Sequence, residues 1–396
     1  MMRTALSALV LVLCALTSAV TGQVPGWVRL DPAMSPPIQL GEMVYDSHRQ
    51  VVVLVGGEPM VTYTWDGENW SDAAPVTSPP DRSHFGMAFD RTRGRVVLFG
   101  GVRSDPTLGL ILFDDTWEWD GTVWAQVVPA HSPPSRAASS MVYDRARGVV
   151  VMFGGYDASY DYLDDTWTFD GVDWQQVHQG YPSARAGVTM AYDAGRDRTV
   201  LFGGYDGGNF RHDTWEWDGV HWAPGLAAVE APIGTGQHMV YFAPDAVCLL
   251  ADDGLVYEDP ILMWSWDGMQ WRMPRFGWGT PPIDVLRGAR MAYDEARQKV
   301  IQFGLGGTWA YGYGEFSVAG EWSPYGEGCG GLPTTGLACT DDPRIGTSMT
   351  LSTFGLMPSA VGAVLVLGGS NRTLHHFDLP LPMDGLGMPG CSIYTD

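Results

Sequence analysis

Short apolar runs separated by glycine-containing turns recur along this chain at nearly equal intervals. Each regular copy begins with Met, then Val or Ala, then an aromatic residue and Asp, and continues through a β-branched run to Phe-Gly-Gly. It ends with Thr-Trp-x-(Trp/Phe)-Asp-Gly-x-x-Trp, most clearly at residues 166–174. The first Met of each copy stands at position 43, 87, 141, 190, 239 or 291. A repeat of about 50 residues with paired glycines and late aromatics predicts a radial array of small sheets.

Each copy predicts four strands. The first ends at the aromatic-Asp pair, and the second is the β-branched run, such as residues 95–99. The third is Thr-Trp-x-Trp, such as residues 116–119, and the fourth begins at the last Trp, such as residues 124–128. Asp-Gly between the third and fourth strands is a strong hairpin signal, because glycine accepts the positive φ of a tight turn.

The turn between the first and second strands has its own signature, an Asp followed three residues later by an Arg. We expect the Asp to accept backbone N–H groups and the Arg to return to its carboxylate, so that these charges build the turn. The fifth copy breaks the pattern at residues 241–245, Tyr-Phe-Ala-Pro-Asp. The regular pairs are Asp46/Arg49, Asp90/Arg93, Asp144/Arg147, Asp193/Arg196 and Asp294/Arg297.

The glycine pairs and aromatic pairs together resemble the kelch repeat of β-propellers over residues 27–321. The resemblance implies four-stranded blades around a central channel, and six copies imply six blades. The fifth copy departs from it with Ala251-Asp252 in place of Gly-Gly, and the sixth lacks Asp-Gly-x-x-Trp. The matching glycine pairs are Gly56-Gly57, Gly100-Gly101, Gly154-Gly155 and Gly203-Gly204.

The ring of blades needs one more strand to close. Residues 27–30 precede the first Met much as the strand at Trp124 precedes Met141, so we expect them to be the fourth strand of the sixth blade. That arrangement pairs the two ends of the repeat region and leaves no open sheet edge. Trp322 could supply this strand instead. A seventh blade would need the C-terminal region, where the repeated phrase does not occur.

The first 22 residues predict a signal peptide, because Arg3 precedes an apolar run over residues 5–15 and small residues follow. The run is too short for a comfortable membrane span, although a retained anchor is the alternative. The chain is therefore predicted to be secreted, periplasmic or at the cell surface, with no membrane span in its mature form. The predicted domains are a signal peptide at 1–22, a propeller at 23–321 and a small C-terminal β domain at 322–396.

The C-terminal region is rich in Gly and Pro, and residues 347–353 and 360–367 predict strands. Its end, Gly387-Met388-Pro389-Gly390-Cys391, resembles a small β-module of secreted bacterial proteins, which implies a surface- or export-related appendage. A small β-sandwich is the simpler interpretation. An oxidising compartment favours a disulfide, either Cys329–Cys391 or Cys329–Cys339. Cys248, in an apolar run, is predicted to be a buried small hydrophobe.

Charge and motifs exclude several classes of function. The net charge is −22 and the pI about 4.6, which argues against nucleic-acid binding through a basic surface. The nine histidines show no metal-ligand spacing, and no nucleophile elbow, phosphate loop or zinc-protease helix occurs. Some secreted kelch propellers are copper oxidases, but their paired Tyr and His ligands and cross-linked Cys cannot be assembled here. We therefore predict no catalytic residue, cofactor or metal.

Candidate binding residues lie in the connections from strand two to three and from strand four to the next strand one, which share one face. Aromatic rings, carboxylates and amides in these variable loops are suited to sugars. Arg82, Arg136 and Arg185 each stand five residues before a Met on this face, either as an anion site or as structural partners of Asp115, Asp165 and Asp213. The loop candidates are Tyr156, Asp157, Tyr205, Asp206, Phe210, Arg211 and His212.

Three functions are consistent with these residues. The first is a secreted scaffold that binds a polysaccharide or a protein on the variable-loop face. The second is a carbohydrate-active enzyme, glycosidase-like with a carboxylate pair or oxidase-like, with its site on the variable-loop face. The third is a structural surface-layer component assembled through the C-terminal module.

Overall fold

A computed structural model describes residues 25–37, 41–225, 238–251, 263–273, 290–304 and 307–313, and short strands from 316 onward. The described residues fall into two units, a large one within residues 27–312 and a small one that includes the residues from 313 onward. The predicted signal peptide lies outside the described residues. The side chains of Cys329, Cys339 and Cys391 do so as well, so the disulfide stays a prediction.

The large unit consists of six four-stranded antiparallel sheets, here called blades 1 to 6. The first strand of the chain, β1 (Gly26–Leu30), belongs to blade 6. Blade 1 contains β2 (Gly41–Asp46), β3 (Val51–Gly56), β4 (Val61–Trp65) and β5 (Trp70–Asp72). Blade 2 contains β6 (Gly86–Asp90), β7 (Arg95–Phe99), the loop hairpin β8 (Val102–Asp105) and β9 (Gly109–Leu112), β10 (Thr116–Trp119) and β11 (Trp124–Val127).

The other four blades repeat the same order. Blade 3 contains β12 (Ser140–Asp144), β13 (Val149–Phe153), β14 (Asp165–Phe169) and β15 (Trp174–Gln179). Blade 4 contains β16 (Thr189–Asp193), β17 (Arg198–Phe202), β18 (Thr214–Trp217) and β19 (Trp222–Pro224). Blade 5 contains β20 (His238–Phe242), a 3-10 turn at Ala243–Asp245, β21 (Val247–Ala251), β22 (Met263–Trp266) and β23 (Trp271–Arg272), and blade 6 contains β24 (Arg290–Asp294), β25 (Lys299–Gly304), β26 (Gly307–Gly312) and β1.

The six blades form a closed ring. The first strands of neighbouring blades contact one another all the way round, including β24 of blade 6 with β2 of blade 1. β1 is hydrogen-bonded to β26 as the outer strand of blade 6, and Trp27 is buried there. The chain is therefore a six-bladed β-propeller closed by its N-terminal strand, which confirms the predicted architecture and rules out Trp322 as the source of that strand.

The small unit contains short antiparallel strand pairs. β27 (Phe316–Ser317) pairs with β29 (Arg344–Ile345), and β28 (Gly336–Cys339) pairs with β30 (Leu351–Phe354). β30 overlaps the strand predicted at 347–353, whereas residues 360–367 lie outside the described residues. The remaining pairs are β31 (Thr373–Leu374) with β32 (Phe377–Asp378), and β33 (Leu381–Pro382) with β34 (Ser392–Ile393).

The hydrophobic core lies between the blades. Met141, Val150 and Met152 of blade 3 pack with Val97 and Phe99 of blade 2 in one buried cluster. Both faces of each second strand are covered by neighbouring blades. This burial explains why the second strands are continuous apolar runs and do not alternate with polar residues.

Tryptophans at the start of fourth strands connect successive blades. Trp124 of blade 2 donates its indole N–H to Thr62 Oγ1 of blade 1 at 2.9 Å, and both residues are buried. The bond satisfies a donor that would otherwise be buried without a partner. The same bond joins Trp70 to Thr308, Trp174 to Thr116, Trp222 to Thr166 and Trp271 to Thr214, at 2.8–2.9 Å.

The Asp-x-x-Arg turns have the predicted geometry and also reach the next blade. Asp46 Oδ1 accepts the N–H groups of His48 and Arg49, and Arg49 Nη1 donates to Asp46 Oδ2 at 2.7 Å. Arg49 Nη2 then donates to the carbonyl of Asp120 in blade 2. A Cβ on Gly121, whose φ is 99°, would overlap this guanidinium. The glycine of the Asp-Gly turn therefore makes room for an arginine of the preceding blade.

The interface between blades 5 and 6 is built differently. Phe242 takes the place of the turn Asp, Asp245 that of the Arg, and Met263 that of the Thr that accepts an indole N–H. The ring of Phe242 packs against Tyr293 and Tyr311, with ring centroids 5.7 and 5.5 Å apart. Trp27 packs against Tyr311 on the same interface, with centroids 5.1 Å apart. Aromatic packing thus occurs between blades 5 and 6, where the turn Asp and the indole-accepting Thr of the other blades are replaced by Phe242 and Met263.

Replacing Trp119 by Ala should empty part of the core, because its side chain is 1% exposed within the cluster between blades 1 and 2. We expect a loss of about 3–5 kcal/mol in the free energy of unfolding, measured by urea denaturation. Near-native stability of the Trp119→Ala protein would contradict this assignment of the core.

The indole-to-threonine bond can be measured by a double-mutant cycle between Trp124→Phe and Thr62→Val. We expect a coupling of about 1 kcal/mol in the free energy of unfolding, the usual net value of a buried hydrogen bond. Trp124→Phe combined with Thr199→Val of blade 4 is the control and should be additive. Additivity in the first pair as well would show that the bond contributes nothing.

Candidate functional site

The connections between strands divide the propeller into two faces. We call loop face the end that carries the strand two-to-three and strand four-to-one connections. The turn face carries the Asp-x-x-Arg and Asp-Gly turns. All the predicted binding residues lie on the loop face, within blades 2, 3 and 4.

Arg82, Arg136 and Arg185 are buried and form ion pairs with aspartates of their own blades. Arg136 Nη1 and Nη2 donate to Asp165 Oδ1 and Oδ2 at 2.6 and 2.8 Å. Its Nη1 also donates to the Gly154 carbonyl and its Nε to the Pro134 carbonyl, both at 3.1 Å. The corresponding bidentate pairs are Arg82 with Asp115 and Arg185 with Asp213.

This geometry corresponds to the second of the two interpretations, in which these arginines are structural partners of the aspartates. Their exposed fractions are 2%, 0% and 1%, and each guanidinium donates to carbonyl and carboxylate oxygens of the protein itself. A role in ligand binding stays a prediction for Arg82, Arg136 and Arg185. The arrangement shows that they first hold the loop face together.

The arginine-bearing loops are also anchored to the preceding blade through its glycine pair. Gly155 donates its N–H to the carbonyl of Arg185 at 3.0 Å, and its φ is 101°. A Cβ on Gly154 would lie 2.5 Å from that same carbonyl oxygen. The Gly-Gly of blade 3 is therefore required by the close approach of the blade 4 loop.

The aspartates of these pairs make the fold sensitive to acid. Burial alone would raise the pKa of Asp165, but hydrogen bonds and charge from Arg136 hold this pKa below its usual value. The pKa of Asp115 and of Asp213 is lowered in the same way by Arg82 and Arg185. A folded-state pKa below the unfolded value means that the stabilisation is present above about pH 3.9 and is lost as the pH falls through the folded pKa.

Asp165→Asn should therefore lower the free energy of unfolding at pH 6 by about 3–5 kcal/mol, because it leaves Arg136 buried without its counter-charge. The variant should also lose less stability than the wild type between pH 6 and pH 3, as measured by urea denaturation. The exposed Asp161→Asn, in the same connection, is the control and should match the wild type. Equal pH dependence in Asp165→Asn and wild type would contradict the assignment.

Five aromatic residues cluster on the loop face of blades 3 and 4 in two ring-contact groups, which a backbone bridge between Tyr156 and Tyr162 joins and which we call the aromatic row. Tyr156 stacks on Tyr160 with centroids 5.8 Å apart and an interplanar angle of 10°. Tyr162 meets Tyr205 edge to face at 5.8 Å, and Tyr205 contacts Phe210 at 4.9 Å. Tyr160 is 62% exposed and Phe210 is 39% exposed. The row thus joins the connections of two blades into one surface.

The charged candidates of these connections shape the loops. Asp157 Oδ1 accepts the N–H groups of Ser159 and Asp161, and Asp206 Oδ1 accepts those of Gly208 and Asn209. Asp206 also forms an ion pair with Arg211. His212 is half-buried beside them. The structure therefore places Tyr205 against Phe210 and Tyr156 against Tyr160 in neighbouring connections, with Asp157, Asp206 and Arg211 shaping the loops, and their role in binding stays a prediction.

A cavity of about 610 Å³ runs along the central channel and is lined by the first strands of the six blades. Among the described residues, four titratable side chains line its loop-face end and come from four different blades: Glu42, His84, His238 and Arg290. Arg290 Nε donates to the Gly41 carbonyl and lies 3.4 Å from Glu42 Oε1. Sequence reasoning missed this group.

The electrostatics of this group follow from its burial and from Arg290. Burial lowers the pKa of His238 well below its usual range, and the nearby positive charge of Arg290 lowers it further. The same two causes lower the pKa of His84. Burial raises the pKa of Glu42, against the opposing attraction of Arg290. Both imidazoles are therefore neutral at neutral pH.

An ion pair crosses the channel at its turn-face end. Arg91 Nη1 of blade 2 lies 2.5 Å from Glu295 Oε2 of blade 6. Arg145 Nη1 of blade 3, on the opposite side of the ring from blade 6, lies 3.6 Å from Glu295 Oε1. These three residues follow the turn Asp of their copies, and sequence reasoning missed them as well.

The described residues contain no group of three or more His, Cys, Asp or Glu side chains placed to hold a metal ion. Within the same residues, no helix is long and apolar enough to cross a membrane.

Comparison with known proteins supports the fold. No protein-family model and no curated protein matches the chain. A solved structure described as "Structure of YjhT" is similar, with a TM-score of 0.53 and 13% sequence identity, covering 70% of this chain and 95% of that chain. At this level of identity the likeness is one of fold alone. The structural comparison and the six sheets agree on a β-propeller.

Proposed function

We propose that this protein is a secreted binding scaffold that holds saccharide chains on the loop face through the aromatic row. The observation that carries the proposal is the clustering of five rings in two contact groups across two blades, joined by the backbone bridge between Tyr156 and Tyr162, with Tyr160 and Phe210 exposed. Secretion rests on the signal-like residues 1–22.

The aromatic row has the chemistry that sugar chains require. An aromatic ring offers an apolar face to the C–H groups of a pyranose and costs little side-chain entropy, because only two torsions are ordered. Exposed polar residues are next to the rings in the sequence, Asp161 between Tyr160 and Tyr162 and Asn209 before Phe210, and can bond hydroxyl groups of the sugar. A row that spans two blades matches an extended ligand of several sugar units.

The row is also held rigidly. Tyr156 exchanges backbone hydrogen bonds with Ala137 at 2.9 and 3.0 Å, and Tyr205 does the same with Ala186. A Cβ on Gly207 would lie 2.9 Å from the ring of Tyr162, so the blade 4 loop packs closely on the blade 3 loop. Rigid placement reduces the ordering cost of binding.

A glycosidase-like centre in the channel has less support. Among the described residues that line the cavity, carboxylates come from Glu42 at the loop-face end and Glu295 at the turn-face end. Glu295 occupies in blade 6 the position that Ser47 occupies in blade 1. Ser47 follows Glu42 by five residues, and five residues of strand span roughly 16 Å. The two carboxyl groups of a glycosidase lie about 5–9.5 Å apart.

The proposal is tested by affinity electrophoresis of the mature protein in gels containing β-glucan, arabinoxylan or galactomannan, with a glycan array for wider coverage. We expect retardation by at least one neutral polysaccharide. Calorimetry on that polysaccharide should show at least a tenfold loss of affinity in Tyr160→Ala/Phe210→Ala, about 1.4 kcal/mol or more.

Val172→Ala/Val220→Ala is the matched control, because both valines are exposed on the turn face. This control should leave the affinity for the polysaccharide unchanged, because it alters no residue of the aromatic row. Binding that survives the loss of both rings, or no binding to any glycan by the wild type, would overturn the proposal.

A further inference from the structure

We propose that the loop-face end of the central cavity is a separate site that binds a small organic oxyanion, a carboxylate or a phosphate, between Arg290, His238 and His84. The three residues line the same end of the cavity and come from blades 6, 5 and 2. The site lies on the axis of the ring, whereas the aromatic row lies over blades 3 and 4.

The charge of the cavity is opposite to that of the chain. Among the described residues, the charged groups that line it are the arginines Arg91, Arg145 and Arg290 and the glutamates Glu42 and Glu295, which sum to +1 with neutral histidines. The whole chain carries −22. A concave site with low-dielectric walls concentrates its own field, so an anion is attracted here despite the acidic surface.

The donors suit an oxyanion. Arg290 supplies guanidinium N–H groups at the cavity wall, with its side chain 18% exposed. A neutral imidazole donates one ring N–H, and His238 and His84 are neutral at neutral pH. His84 Nδ1 lies 2.9 Å from Ser83 Oγ, which orients the ring.

The backbone of His84 has a defined conformation. Its φ is 54°, in the left-handed region, at the position occupied by Ala138 in blade 3 and Gly187 in blade 4, which are left-handed as well. The His84 carbonyl accepts the N–H of Ala138 at 2.8 Å. The conformation therefore belongs to the turn that these three blades share, and it fixes the point from which the His84 side chain leaves the backbone.

The size of the cavity limits the ligand. A volume of about 610 Å³ lies within the usual range for small-molecule sites. The ion pair between Arg91 Nη1 and Glu295 Oε2, 2.5 Å apart, crosses the turn-face end of the channel. A ligand that binds Arg290 at the loop-face end therefore has this ion pair at the opposite end of the cavity.

Glu42 sets the direction of a decisive test. Its carboxylate lies 3.4 Å from Arg290 Nε and competes with an incoming anion for the same guanidinium. Removing the Glu42 charge should strengthen anion binding, whereas removing the Arg290 charge should weaken it. A role of Arg290 confined to structure does not predict these opposite signs.

The test is calorimetric titration of the full mature protein at low ionic strength with inorganic phosphate, gluconate and the neutral hexitol sorbitol. We expect phosphate or gluconate to bind and sorbitol not to bind, and the two anions distinguish a phosphate site from a carboxylate site. Affinity should fall at least tenfold in Arg290→Gln, fall in His238→Gln, and rise in Glu42→Gln.

Arg272→Gln, an exposed arginine of blade 5, is the control and should leave affinity unchanged. The Tyr160→Ala/Phe210→Ala protein should bind the anion normally, which separates this site from the saccharide surface. Thermal melting shows whether the Arg290→Gln protein remains folded. If it does not, the anion affinities of His238→Gln and Glu42→Gln decide the test. The proposal is overturned if the wild type binds neither anion, if sorbitol binds equally well, or if Glu42→Gln weakens anion binding.

Discussion

Each blade of this propeller buries polar groups that only its neighbour can satisfy. The indole N–H of Trp174 is bonded to Thr116 of blade 2 and not within its own blade 3. A buried donor without a partner costs roughly 1–3 kcal/mol, so this face can be covered without that cost only by a neighbour that supplies the acceptor. The bond and the burial therefore form together when two blades pack. The arginines of the Asp-x-x-Arg turns and the Gly-Gly contacts act in the same sense, so the stability of each blade depends on its neighbours.

The repeated residues predict most of this fold because they form the same local strands and turns in every regular copy. Strand number, blade number, the closing strand, the Asp-x-x-Arg turns and the Arg–Asp pairs all follow from patterns that occur three to six times. The inter-blade bonds do not follow, since Trp124 and Thr62 are 62 residues apart and no local pattern links them. The altered interface of blades 5 and 6 was visible as Phe242 and Met263, but its aromatic packing with Tyr311 depends on the folded ring.

The two candidate sites differ in how far the amino-acid sequence alone indicates them. Tyr156, Tyr205 and Phe210 stand in unequal connections outside the repeated phrase, so their composition alone drew attention. Glu42, His238 and Arg290 of the channel each stand directly before the first Met of their copies, and each is unremarkable by itself. Only the ring brings that position together from six blades. Aligning the copies at the residue before Met shows the signal: Glu42, Gly86, Ser140, Thr189, His238 and Arg290.

The closing strand also orders events during synthesis. β1 emerges about 280 residues before β26, its partner, and at roughly 5–20 residues per second it waits on the order of 15–55 s. Throughout that interval its backbone groups have no strand to pair with. When β26 appears, β1 of the same chain and β1 of a neighbouring chain offer it the same hydrogen bonds. The shared chain supplies the higher effective concentration, and this tether alone favours a closed ring over a strand-exchanged pair.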